Sequence, residues 1–145
     1  MREGATKFQM STSWKELGFV EYGGGVTGAR FVIGDDDDES APVVMRGSFP
    51  PGAVVAPHSH PCDYAEILLE GSQQVTRQWH YPGDIRIVKA GTVYGPLVAG
   101  PEGVTVLVIF RSGDCATEWV TGGSNARSLT ESQARSDEGA GVPAG

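Results

Sequence analysis

Long apolar runs are missing from this chain. The longest, Val104 to Phe110, is interrupted by Thr105 and falls far short of the roughly 20 residues that a membrane-spanning helix needs. Basic residues are scarce as well. Eleven Lys and Arg stand against 18 Asp and Glu, a formal charge of −7 with a pI near 4.8, so no basic patch is available to meet nucleic acid or an anionic membrane. Cysteine is limited to Cys62 and Cys115, too few for a disulfide framework. The opening residues, Met1 to Lys7, lack the apolar core of a signal peptide. From these two absences the chain is expected to keep its thiols reduced, in the cytoplasm. Sustained 3.6-residue periodicity is absent too, which argues against a helical architecture. There is no nucleophile elbow, phosphate loop, dinucleotide fingerprint or Cys-x-x-Cys, and Gly23-Gly24-Gly25 has no strand-to-helix context that would give it a phosphate role.

What the chain has is punctuation. Its 145 residues include 21 glycines and 9 prolines, spread along a sequence the size of one domain with 39% apolar residues. Residues 1–12 carry no pattern and read as a loose arm. Leu17 to Tyr22 and Val26 to Ile33 read as a hairpin around the three glycines. Asp35 to Asp38 lack the interleaved spacing of a calcium loop and read as a solvated connection. Further strands are expected over Pro42 to Phe49, Ala53 to Ala56 and Tyr64 to Glu70. Gly71 breaks the chain before a short hairpin from Ser72 to Tyr81. Ile85 to Lys89, Val93 to Val98, Val104 to Arg111 and Cys115 to Thr121 follow, with Gly100-Pro101-Glu102-Gly103 as a turn. Residues 13–121 thus predict one all-β sandwich or barrel of about ten short strands. Residues 122–145 are rich in Gly, Ser, Ala and charge and predict a disordered tail, with one weak helical segment from Ser128 to Arg135.

One stretch concentrates chemistry. His58 and His60 are two residues apart, so in a strand their rings point to one face, as two imidazoles sharing a metal must. If the chain re-enters a strand at Tyr64, then Tyr64 and Glu66 share that phase. Two histidines and a carboxylate form the ligand set of a first-row metal site with open positions. Asp63 is the substitute third ligand. Arg86 alternates with Ile85 and Ile87; an outward guanidinium on a solvent or dimer face is the preferred reading, and an inward one would bind a carboxylate. His80 reads as a surface residue before the Pro82-Gly83 turn, and Cys62 as an incidental small residue in the corner.

Gly52, five residues, His58-Ser59-His60, then Glu66 and Gly71 resemble the first motif of the cupin superfamily, G-x5-H-x-H-x3,4-E-x6-G. Gly83 to Tyr94 resembles the second, G-x5-P-x-G-x2-H, and the likeness spans roughly residues 40 to 111. It implies a double-stranded β-helix, a jelly-roll barrel with one divalent metal inside, iron by preference, or zinc, manganese or nickel. It also implies a homodimer and a small-molecule substrate. The departures are specific. Tyr64 falls on the motif's Glu position, Glu66 follows His60 after five residues instead of three or four, Lys89 replaces the proline and Tyr94 replaces the third histidine. The expected metal ligands are therefore His58, His60 and Glu66. Tyr94, Tyr64 and Glu66 are the candidate catalytic groups, with Arg86 and Tyr94 lining the substrate pocket. The resemblance leaves dioxygenase-like chemistry on an enol, keto or aromatic substrate as the leading expectation. Metal-assisted isomerase, cyclase or lyase chemistry is the alternative, and a non-enzymatic ligand-binding or sensing barrel is the rival.

Overall fold

A computed structural model describes residues 9–120. The expected C-terminal tail, its helical segment and most of the N-terminal arm lie outside the described residues. The elements are α1 (Trp14–Leu17), β1 (Val20–Gly23), β2 (Val26–Val32), β3 (Val43–Phe49), β4 (Val54–Val55), β5 (His58–Ser59), β6 (Tyr64–Val75), β7 (Gln78–His80), β8 (Ile85–Val88), β9 (Leu97–Phe110) and β10 (Glu118–Trp119). All strand pairs are antiparallel. One eight-stranded sheet runs β1-β2-β3-β9-β6-β7, with β4 attached to β9 and β8 to β6; β5 and β10 form a separate two-stranded ribbon. This is the expected all-β jelly roll.

The interior is built by period-2 alternation. On β9, Val104, Val106, Val108 and Phe110 point inward, and register sets them opposite Phe49, Gly47, Met45 and Val43 of β3. Met45, Val106 and Val108 are completely buried and Phe110 nearly so. Each such side chain contributes about 1.5–3 kcal/mol relative to exposure. On β6 the inward set begins as Tyr64, Glu66 and Leu68.

Three local expectations are corrected. Trp14–Leu17 is a short helix and not the start of a strand. Ser13-x-x-Glu16 has the spacing of a capping box, the Ser13 hydroxyl accepts from the Glu16 N–H at 3.2 Å, and Gly18 ends the turn at φ 79°. Gly71 does not end a strand, and residues 100–103 do not form a turn; β6 and β9 run through both places. The glycines are there because the two long strands bend against each other. At φ 78°, a Cβ on Gly71 would collide with the Gly103 carbonyl. Finally, Cys62 and Cys115, expected to be free thiols, form a disulfide across 53 residues.

Candidate functional site

β5 is a two-residue strand held on both edges. Its His58 exchanges backbone hydrogen bonds with Tyr94 on one side, N to O at 3.0 Å each way, and its Ser59 and His58 pair with Glu118 and Trp119 of β10 on the other. Pro57 and Pro61 flank this stretch and fix its entry and exit. The expected geometry is present: His58 and His60 share one face, their rings 5.2 Å apart and edge-on, and both are excluded from solvent.

Each ring is oriented by a backbone carbonyl. His58 Nδ1 lies 2.8 Å from the Ala56 oxygen and His60 Nδ1 lies 2.9 Å from the Cys115 oxygen. A carbonyl only accepts, so both Nδ1 atoms carry hydrogen. Burial lowers His58 to about 3, with His60 and Arg86 pushing the same way against the Ala56 bond. Burial likewise lowers His60 to about 4, the Cys115 carbonyl and Glu66 opposing it. Both imidazoles are therefore neutral, with a bare lone pair on Nε2. The Tyr94 hydroxyl, 2.8 Å from His58 Nε2, must donate to it. The Nε2 of His60 is buried without a partner.

Register explains the second half of the site. β8 pairs with β6 so that Arg86 stands directly across from Glu66 and Val88 across from Tyr64. Arg86 consequently points inward while Ile85 and Ile87 face out, the reverse of the preferred reading of this strand. Arg86 Nη2 and Nε reach Glu66 Oε1 at 2.7 and 3.0 Å, and Gln73 Nε2 donates to the same oxygen at 2.9 Å. The guanidinium also lies 4.8 Å from the centre of the Tyr94 ring. Burial alone would lower Arg86; Glu66, Tyr64 and Tyr94 more than offset it, so the cation is retained. Burial raises both phenols, and at Tyr94 the nearby Tyr64 and Glu66 add to it. Tyr64 packs edge-on against His60 at 5.0 Å. Its hydroxyl feels Tyr94 and Arg86 nearby yet completes no well-formed hydrogen bond. With neutral rings and protonated phenols, the interior holds one cation and one anion that cancel.

The structure thus brings His58, His60, Tyr64, Glu66, Arg86 and Tyr94 together. It does not bring in Asp63, whose carboxylate turns outward to accept from the Ala90 N–H at 2.8 Å, or His80, which faces Asp84 at 3.9 Å. Cys62 is committed to its disulfide. Sequence reasoning missed Gln73 and Trp119, the latter stacked 5.0 Å from His58.

These donors do not fit a centre of two histidines and one carboxylate. Glu66 is engaged by a guanidinium, whose charge repels a second cation beside it. His58 Nε2 is occupied by a phenol, and no group of three His, Cys, Asp or Glu side chains converges among the described residues.

No protein-family model matches the chain, and no curated protein sequence is significantly similar to it. Solved structures are similar in fold. A polyketide cyclase, RemF from Streptomyces resistomycificus, superposes with a TM-score of 0.66 at 16% identity, covering 85% of this chain and 93% of that one. An RmlC-like cupin from Shewanella frigidimarina superposes with a TM-score of 0.59 at 19% identity, over 70% of this chain and 89% of the other. Oxalate decarboxylase from Bacillus subtilis, a protein with Mn(II) centres, superposes with a TM-score of 0.65 at 18% identity; the match covers 82% of this chain but 34% of that one. With a polyketide cyclase, an RmlC-like cupin and oxalate decarboxylase all superposing on the same antiparallel jelly roll, this chain has the cupin fold.

Proposed function

We propose that the barrel interior is the active site of a small-molecule enzyme that works by proton transfer, of the isomerase, cyclase or lyase kind. The observation that carries this reading is the pair of buried neutral histidines, one accepting a hydrogen bond from the Tyr94 hydroxyl and the other with its Nε2 free. His60 Nε2 is the base: it takes a proton from a substrate C–H or O–H, and the imidazolium so formed lies beside Glu66, which stabilises it. The electron pair moves onto a substrate oxygen, where the Tyr64 O–H and the Arg86 cation stabilise the oxyanion. His60 returns the proton at a different atom, which completes an isomerisation, or the oxyanion expels a leaving group that takes the proton from Tyr94, whose phenolate then recovers a proton from the His60 imidazolium. Glu66 and Gln73 position Arg86. The substrate class is an enolisable hydroxy-carbonyl or dicarbonyl compound.

The test is exchange of enolisable C–H for deuterium in D2O, followed by proton NMR over a panel of such compounds. Protein stripped by chelation should catalyse exchange, and Tyr64→Phe and His60→Gln should each slow it by about 10²–10⁴-fold. Exchange that appears only on adding iron, manganese, zinc or nickel, with one metal per chain by elemental analysis, would replace this reading with the metal-dependent one. That second reading rests on the two imidazoles, each anchored through Nδ1 and with ring centres 5.2 Å apart. It requires Glu66 to leave Arg86.

A further inference from the structure

Every ring of the site is shut away from solvent, and the segment that shuts it is fastened by a single covalent bond. After β9 the chain turns back over the two histidines, its Cys115 carbonyl on His60 and its Trp119 ring against His58. Cys115 and Thr117 point inward and are buried, Trp119 packs on His58, and the residues between them face out. This segment is not part of the eight-stranded sheet. It hangs from β5 by the two-residue β10 pairing, by the Val120 N–H on the Pro57 carbonyl at 3.2 Å, and by the Cys115 carbonyl on His60 Nδ1. The Cys62–Cys115 disulfide is the covalent fastening, and Cys62 lies two residues from His60 in the corner that leads into β6. One bond thus ties the cover to the stretch that carries both histidines.

From this placement we infer that Cys62–Cys115 is a thiol–disulfide exchange site that gates the active site, closed when oxidised and open when reduced. The partner is a dithiol reductant. Its thiolate attacks Cys62 Sγ, which is only half-buried, whereas Cys115 is almost fully buried. The S–S bond breaks, and Cys115 leaves as a thiolate and takes a proton. The second thiol of the reductant then resolves the mixed disulfide, releasing Cys62 as a thiol and leaving the reductant oxidised. Two electrons and two protons pass to the protein. What remains of the fastening is one two-residue pairing, the Val120 and Cys115 hydrogen bonds and the Ser112 hydroxyl on the Glu39 carbonyl at 3.2 Å, and a segment held so lightly opens locally without unfolding the sheet. Opening also frees His60 Nδ1–H from the Cys115 carbonyl, so access and the orientation of the ring change together. The gate does not depend on which reaction the site performs.

Hydrogen exchange by mass spectrometry and carbethoxylation of histidine, on the full chain with and without dithiothreitol, test the gate. The redox state of each sample is verified by intact mass. Reduction should speed exchange over residues 112–120 and modification of His58 and His60 by about tenfold or more, while β3, β6 and β9 keep their protection. A Cys62→Ser/Cys115→Ser variant should show the open pattern without reductant. Equal labelling in both states would overturn the gate. Simultaneous loss of protection in β3, β6 and β9 would also overturn it, because the bond would then hold the barrel together and not the cover.

Discussion

Two adjoining walls of one barrel carry different chemistry in the same layers. In the layer that contains Met45 and Val108, the β3–β9 wall offers only apolar side chains, both residues being completely inaccessible. The next strand pair in that layer, β6–β8, offers Glu66 and Arg86. One layer along, Val43 and Phe110 continue into Tyr64 and Val88. The apolar wall gains stability with each methyl group it buries. The polar wall must match every charge and donor to a partner before it does better than break even. The difference separates two jobs: β3–β9 makes the barrel fold, and β6–β8 with the β5 corner places groups that can move protons.

The contrast is broken most severely by Arg86→Met. It leaves the Glu66 carboxylate buried without its cation, and a loss of about 3–5 kcal/mol is expected in urea unfolding. Adding Glu66→Leu should restore most of it while abolishing activity, and a double variant as unstable as the single one would show that the pair is not the cause. On the other wall, Met45→Ala should cost about 2–5 kcal/mol through the cavity it opens. Its deuterium exchange activity should stay within about twofold, since no polar group of the site is touched; a hundredfold loss would show that the walls are not separable. Taken over one pH unit below neutrality, the smallest effect is acid sensitivity. His58 and His60 are held near 3 and 4 against an unfolded value of 6.5, so below 6.5 the unfolded chain binds protons that the folded chain refuses. Their stabilisation is complete above that value and is lost as pH falls, at about 1.4 kcal/mol per pH unit for each ring until its folded value is approached. Urea midpoints that stay level between about pH 7 and pH 5 would contradict this sign.

Much of the frame was legible. Turn residues separated short strands, and His-x-His in an extended stretch put both rings on one face. Glu66 was legible as an inward carboxylate for the same reason. Its partner was not, because a rule that sends charge outward sends Arg86 to the surface, and only the β6–β8 register sets it opposite Glu66. The disulfide was illegible for a simpler reason. Spacing of 53 residues says nothing about two Cα atoms 5.3 Å apart. Trp119 reaches His58 from a late part of the chain in the same way. Gln73 was hidden by a change of phase. Even-numbered residues point inward from Tyr64 to Leu68, but the register with β9 shifts between Leu68 and Glu70 and again between Gly71 and Gln73, after which Gln73 and Val75 are the buried ones.

That change of phase has a consequence for anyone who edits the chain. β6 works as two rulers joined out of step, one reading even numbers and the other odd. Deleting a single residue between Leu68 and Gln73 would make the rulers agree and restore an uninterrupted alternation, the more regular strand on paper. It would keep Gln73 and Val75 on the inner face, Gln73 four steps after Leu68 instead of five, while removing the register shifts with β9. A two-residue deletion leaves an odd number of steps, so without a bulge it turns Gln73 and Val75 outward and leaves the Glu66–Arg86 pair without its third member; it is the harsher edit.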